Sequence, residues 1–104
     1  MAYNDPTDIR QIEHDAEADE ARARERRRRE LEDLKWLLAH PQGRRIASRL
    51  LAEAGVFRSS FNHSGSLMAF NEGKRHVGLW FTGELMEANA DGYLKILKEF
   101  KANE

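Results

Sequence analysis

The chain has 104 residues, a net charge of −1 and no cysteine, so it can form one small domain but neither a disulfide framework nor a thiolate metal site. Its apolar runs are shorter than the roughly 18 residues that a membrane-spanning helix needs. The amino terminus is polar and acidic, unlike a Sec-type signal peptide. These features predict a soluble protein that is compatible with a reducing compartment.

Residues 1–33 are predicted to form a charged helical arm. Residues 1–20 carry seven acids and one arginine, whereas residues 21–35 carry seven bases and four acids. Asp5 is a suitable N-cap before Pro6, and from there to Glu32 the chain contains neither glycine nor a second proline. The pattern predicts one long polar helix.

Local interactions are expected to stabilise this arm only weakly. The i, i+4 pairs Glu20–Arg24 and Glu25–Arg29 each contribute a few tenths of a kcal/mol at best. Apolar residues do not continue as a heptad seam beyond the first turns, so a self-sufficient coiled coil is not predicted. We therefore expect the arm to fray in isolation and to extend along a neighbouring protein.

A compact helical domain is predicted over residues 34–104, and the fold class is all-α. An apolar stripe near Trp36 should end at His40, because the residue before Pro41 avoids helical dihedrals. A second helix is predicted over residues 41–54, with Gly55 as its C-terminal signal. A structured loop should follow from Gly55 to Ser66, anchored by two phenylalanines.

Two further helices complete the predicted domain. The first runs through Leu67 to Leu85 and contains Gly73, Gly78 and Gly83, each of which costs about 1 kcal/mol relative to alanine. Close helix packing at these glycines is the expected compensation. Asn89 or Asp91 can cap a final helix, whose apolar residues recur at helical spacing. These are Tyr93, Leu94, Leu97 and Phe100.

Two basic segments, Gly43-Arg44-Arg45 and Gly73-Lys74-Arg75, flank the aromatic loop. Neither has the spacing of a phosphate-binding loop. If the basic side chains of these segments come together in the fold with Arg49 and Arg58, they form a positive face beside the loop. The alternative is that each charge is solvated separately. The predicted partner-binding residues are Arg44, Arg45, Phe57, Arg58, Phe61, Lys74 and Arg75.

The sharpest charge feature is an arginine run in the arm, formed by Arg22, Arg24, Arg26, Arg27, Arg28 and Arg29. Arginine matches phosphate geometry, so these residues are possible nucleic-acid ligands. The neighbouring acidic block and the interleaved Glu25 and Glu30 would repel a duplex. A solvated or protein-contacting helix is the favoured interpretation.

Catalytic and metal-binding patterns are not found in the sequence. The histidines His14, His40, His63 and His76 lack the i, i+4 spacing of a helical zinc pair. The serines of the loop do not stand in a nucleophile elbow, and Glu72 and Glu84 are too far apart on one helix for two-carboxylate hydrolysis. We expect no enzyme activity, no metal and no cofactor.

Residues 34–84 resemble a family of small tailed-phage proteins encoded in the virion region of podovirus-like genomes. The resemblance is carried by Trp36, Gly43, Arg44, Gly55, Val56, Phe57, Ser60, Phe61, Phe70, Glu72, Gly73, Arg75, Gly78 and Leu79. It implies a non-enzymatic structural or ejection-associated component, near the portal or the internal core, that packs against larger phage proteins. The chain is expected to be a homo-oligomer or to be present in several copies in the particle. The resemblance also implies location in the virion and, during assembly, in the host cytoplasm.

A different class of function remains open from the sequence. The chain could be a small phage regulatory protein that binds nucleic acid through Arg22 to Arg29 and dimerises through its carboxy-terminal helices. Steep salt dependence of DNA binding would distinguish this alternative from the virion role.

Overall fold

A computed structural model describes residues 8–102, which contain four helices and no strand. They are α1 (Ile9–Ala39), α2 (Pro41–Ala54), α3 (Gly65–Ala88) and α4 (Ala90–Ala102). The predicted all-α class, a long N-terminal helix followed by a helical bundle, is confirmed. The contacts between residues divide the chain into two compact units, with the boundary between Glu30 and Leu31.

Asp8 caps the start of α1, and Pro41 begins α2. The Oδ1 of Asp8 accepts the backbone N–H of Arg10 at 3.0 Å, just before α1, as an N-capping carboxylate does. The predicted cap Asp5 and its neighbour Pro6 lie outside the described residues. Pro41 occupies the first turn of α2, as expected.

Gly55 ends α2 in the left-handed conformation, with a φ of 80°. Its N–H donates to the carbonyl of Ala52, and the N–H of Val56 donates to the carbonyl of Leu51. These two bonds form a Schellman motif, which requires a residue that adopts positive φ without steric cost. The predicted C-terminal signal at Gly55 is therefore confirmed.

The boundaries of the last two helices correct one prediction and confirm another. The hydroxyl of Ser64 accepts the N–H of Leu67, so α3 begins at Gly65 and the predicted loop, which ran to Ser66, is two residues too long. The Oδ1 of Asn89 accepts the N–H of Gly92 at 3.1 Å. Of the two predicted caps of α4, Asn89 makes this contact.

The unit that begins at Leu31 has a small apolar core, in which α2, α3 and α4 contact one another in pairs. Five buried side chains form it: Leu38, Ala47, Leu51, Leu85 and Ile96. Half-buried apolar residues surround them, namely Leu34, Leu37, Val56, Phe57, Phe81 and Tyr93. The end of α1 thus contributes Leu38 to the same core as the three later helices.

Close helix packing, which was predicted to explain three glycines of α3, explains only one of them. A Cβ on Gly78 would lie 2.7 Å from the Cβ of Ala54, and one on Gly92 would lie 2.9 Å from the Cβ of Leu38. By contrast, a Cβ on Gly73 or Gly83 would meet no atom within 4 Å. Close packing therefore explains Gly78, as predicted, but the same prediction is wrong for Gly73 and Gly83 within this chain.

Ion pairs between neighbouring turns occupy the surface of residues 8–30. Glu25 pairs with Arg28 at 2.7 Å and with Arg29 at 3.4 Å, and Arg27 pairs with Glu30 at 3.1 Å. The predicted Glu25–Arg29 pair is confirmed. In the described part of the chain no pair joins Glu20 to Arg24, so that prediction is wrong.

The carboxylate of Glu25 is expected to titrate far below its usual range. The hydrogen bond from Arg28, together with the charges of Arg28 and Arg29, lowers the pKa of Glu25 from 4.5 to about 2. Because the folded pKa is depressed, the stabilisation by this carboxylate is present above pH 4.5 and is lost as the pH falls towards 2. An NMR titration of the Glu25 carboxyl carbon should therefore have a midpoint near pH 2.

Replacing Arg28 with glutamine should raise the midpoint of that titration towards 4.5. Arg26→Gln is the matched control, because it removes an equal charge from the same helix but no ion pair to Glu25. A midpoint near 4.5 in the unmodified chain would show that the Glu25–Arg28 contact does not persist in solution.

Candidate functional site: a basic cleft beside an aromatic pair

The loop between α2 and α3 is held by short-range hydrogen bonds. The N–H of Phe61 donates to the hydroxyl of Ser59 at 3.1 Å, and the N–H of Ser64 donates to Oδ1 of Asn62 at 2.8 Å. The side-chain amide of Asn71 donates to the carbonyl of Ser60 at 3.4 Å, which joins the loop to α3. The serines and Asn62 thus stabilise the turns of this loop, as predicted for the serines.

A cleft of about 220 Å³ lies between this loop and α3. We call it the basic cleft; its lining residues are Ala54, Gly55, Arg58, Ser59, Ser60, Asn71, Lys74 and Arg75. Three of them are cationic, three are uncharged hydrogen-bonding residues, and none is acidic. The composition suits a bound anionic group, since each cation can donate hydrogen bonds and charge-assisted bonds are stronger than neutral ones.

Arg75, which lines this cleft, has a guanidinium N–H without a hydrogen-bond acceptor. Its Nε is buried and has no partner among the described residues, although a buried donor without a partner costs free energy. The ammonium of Lys74 lies 5.2 Å from the ring centroid of Phe70, a cation–π distance that orients this side chain. The cleft therefore contains three cations, of which Lys74 is oriented by Phe70 and Arg75 is held with a buried, unpartnered Nε.

The two phenylalanines of the loop have different surroundings. Phe57 stacks on Phe100 of α4 with the ring centroids 4.5 Å apart, and it packs against the core. Phe61 is 67% exposed and makes an edge contact with His63 at 5.5 Å. Phe57 thus anchors the loop to the bundle, as predicted, whereas the same prediction is wrong for Phe61, which presents its ring to solvent.

The remaining predicted bases lie in a second pocket. Its lining residues are Arg44, Arg45, Ser48, Arg49, Glu99 and Phe100. The side chain of Arg44 is only 11% exposed. Its Nε donates to Glu99 at 2.9 Å, and its Nη1 donates to the carbonyl of Leu38 at 2.8 Å. Arg44 therefore connects α1, α2 and α4, and its hydrogen bonds lie within the chain.

The structure thus separates the five basic residues among the seven predicted partner-binding residues into two groups. Arg58, Lys74 and Arg75 converge on the basic cleft, whereas Arg44 and Arg45 line the second pocket. Asn71 was not predicted, although it stands three and four residues before Lys74 and Arg75. That spacing puts all three on one face of a helix and could have identified it.

Most of the arginine run in α1 is engaged with acids of the same helix. Arg22 pairs with Asp19, and Arg27, Arg28 and Arg29 pair with Glu25 or Glu30. Arg24 and Arg26 have no ion pair among the described residues. The positive charge of the predicted nucleic-acid ligands is therefore partly compensated where they stand.

Residues 8–102 contain neither a metal-binding cluster nor a membrane-spanning helix. No group of three or more histidine, aspartate or glutamate side chains is placed to hold a metal ion. No helix in this part of the chain has both the length and the apolar character needed to span a bilayer.

Comparison with known proteins gives one match. A family model described as Bbp19-like phage protein matches residues 34–97, which is more than half of the chain. No curated protein and no solved structure matches the chain. The matched segment contains every lining residue of the basic cleft together with Phe57 and Phe61, whereas Glu99 and Phe100 of the second pocket lie beyond it.

Proposed function

The chain belongs to the Bbp19-like phage protein family, and we propose that it is a non-enzymatic virion component that packs against larger phage proteins. In this proposal the protein has a structural or ejection-associated role near the portal or the internal core of the particle. The podovirus assignment belongs to the same proposal.

The observation that carries this proposal is the basic cleft beside an exposed aromatic side chain. Arg58, Lys74 and Arg75 offer donors to an anionic group, and Phe61, which directly follows the cleft residue Ser60, is 67% exposed. Exposed apolar surface with nearby polar groups is typical of protein-binding sites. The ring of Phe61 would supply binding energy, and the cations would fix the orientation of the partner.

We infer that the anionic group is a carboxylate of the partner protein. A cleft of about 220 Å³ with hydroxyl and amide groups beside its cations accommodates one acidic side chain. The nucleic-acid alternative depends on the arginine run of α1, where four of the six guanidinium groups already pair with carboxylates. It stays a prediction, which a salt series of duplex binding would test.

The proposal is tested in purified particles. Mass spectrometry should detect the protein in virions that have been separated from lysate by density gradient. In phage that encode Arg58→Gln together with Lys74→Gln, we expect the amount per particle to fall at least tenfold, because one or two lost charge-assisted bonds correspond to roughly that factor. Arg75 is left unchanged, since its buried Nε makes it a poor choice for a substitution that must preserve the fold.

Lys95→Gln together with Lys98→Gln is the matched control, because both lysines are exposed on α4 and neither lines the basic cleft. This variant should be incorporated normally. Absence of the unmodified protein from particles would overturn the virion role. Equal incorporation of both double variants would overturn the role of the cleft and leave the virion role intact.

A further inference from the structure

One side of α3 is apolar, exposed and not used by the bundle. Phe70, Val77 and Trp80 are 62%, 60% and 61% exposed. Together with Gly73 they form what we call the α3 stripe, with spacings of three, four and three residues. At 3.6 residues per turn its four members fall within about 80° of the helix circumference.

Next to the stripe, the bundle contacts a different side of the same helix. Gly78 and Leu85 are buried there, roughly 110° from the centre of the stripe on a helical wheel, while the third buried residue, Ala88, lies closer to the stripe in angle but about two turns beyond Trp80 along the helix. The apolar residues of the stripe therefore do not belong to the core of this chain. An amphipathic pattern of this kind, i, i+3, i+7 and i+10, is the seam by which one helix packs on another.

One glycine of α3 supports a close approach by another chain. Gly73 lies in the middle of the stripe, and a Cβ there would meet nothing within 4 Å. Glycine inside a helix is unfavourable compared with alanine, and no contact within the bundle compensates for it here. A side chain from outside that enters the space above Gly73 would supply the compensation.

We propose that the α3 stripe binds the α3 stripe of a second copy in antiparallel orientation. The spacing reads the same in both directions, so a two-fold axis near residue 75 places Phe70 opposite Trp80 of the second copy and Gly73 opposite its Val77. Gly73 then faces a residue whose side chain fills the space that its missing side chain leaves.

The parallel arrangement fits the same residues less well. It would place glycine opposite glycine and tryptophan opposite tryptophan, which leaves a gap at one level and crowding at another. Antiparallel pairing inserts Val77 into the space above Gly73 and stacks unlike aromatic rings at both ends. Size complementarity therefore selects the antiparallel pair.

The strength of the pair follows from its size. Four partly exposed aromatic rings and the residues between them bury on the order of 1,000 Å² in total, which is the lower end for specific interfaces. Such an interface corresponds to a dissociation constant of micromolar order. The pairing concerns the purified protein alone and does not depend on the proposed virion role.

Sedimentation of the full chain tests the proposal over about 1 to 200 µM, a range that brackets micromolar dissociation constants. We expect the mass to rise from monomer to dimer across it. Val77→Glu should weaken the dimer at least tenfold, whereas Ile46→Glu, at an equally exposed position on α2, should not. A monomer at all concentrations, or equal loss in both variants, would overturn the proposal.

Alanine at Gly73 separates self-association from folding. Gly73→Ala should raise the thermal midpoint of the dilute monomer, because alanine has a higher helix propensity than glycine. The same substitution should weaken the dimer, because the added methyl group fills the space that Val77 of the second copy occupies. A variant that merely unfolds could not produce these opposite changes. An unchanged or stronger dimer would contradict the placement of Gly73 against Val77.

Cysteine cross-linking tests the orientation in a chain that has no cysteine of its own. Val77→Cys lies within the stripe two residues from the two-fold axis, about 6 Å from its copy along the helix axis, and should form a disulfide-linked dimer on mild oxidation. Ser66→Cys should not, because antiparallel pairing separates the two copies of this residue by about 27 Å along the helix axis, beyond disulfide reach. Efficient cross-linking of Ser66→Cys would indicate a parallel pair and overturn the proposal.

Discussion

Replacing Gly43 with alanine is expected to destabilise the bundle by at least about 3 kcal/mol, the upper range for overpacked sites. A Cβ on Gly43 would collide with the carbonyl oxygen of Leu37 and lie 2.8 Å from the carbonyl carbon. Both atoms are backbone, so no rotamer change can remove the clash. The end of α1 would have to move away from α2, and Leu38 would leave the core with it.

Urea denaturation of the dilute protein measures this effect, and Gly73→Ala is its matched control. The control makes the same chemical change within a helix but at a position with no atom within 4 Å. It should increase the free energy of unfolding by up to about 1 kcal/mol. If the free energy of unfolding of Gly43→Ala were within 0.5 kcal/mol of the value for the unmodified chain, the close contact between α1 and α2 would be contradicted.

Replacing Arg44 with alanine is the second large effect, with an expected loss of about 2 to 3 kcal/mol in the free energy of unfolding. The substitution removes the bonds to Glu99 and to the carbonyl of Leu38. That carbonyl belongs to the last turn of α1, where no backbone N–H of the helix can reach it. Its loss leaves a half-buried acceptor and a half-buried carboxylate with fewer partners.

Arg45→Ala is the control for the Arg44 substitution, because the neighbouring side chain is exposed and no ion pair involves it among the described residues. Surface changes of this type usually stay within 0.5 kcal/mol. The loss in free energy of unfolding for Arg44→Lys should lie between the losses for Arg44→Ala and Arg45→Ala, since lysine keeps the charge but not the paired donor geometry. Equal stability of Arg44→Ala and Arg45→Ala would remove the structural role assigned to Arg44.

These stability effects decide which residues of the two pockets can be substituted to test partner binding in particles. A variant at Arg44 that lowers incorporation would report on folding before it reported on a partner. Arg58 and Lys74 can be substituted at the basic cleft without loss of a core contact, which makes them the residues that report on binding. The partner-binding role of the second pocket, including Arg45, remains a prediction.

Local signals in the sequence determined the helices. Pro41 begins α2, Gly55 ends it in a left-handed turn, and Asn89 caps α4, each through dihedral preferences or hydrogen bonds within a few residues. Such interactions do not depend on the rest of the fold, so the all-α class and most helix ends could be predicted. The family resemblance, read from residue types at fixed spacing, was also accessible without coordinates.

The tertiary structure alone decided which side of each helix is used. The apolar residues of α3 occur on several sides, so periodicity could not show that Leu85 is buried while Trp80 is exposed. The same holds for Gly78 and Gly73, which differ only in what packs against them. Arg44 and Glu99 are distant in sequence, and their contact depends on how α2 and α4 pack. These properties arise from contacts between segments far apart in the chain, where local pattern carries no information.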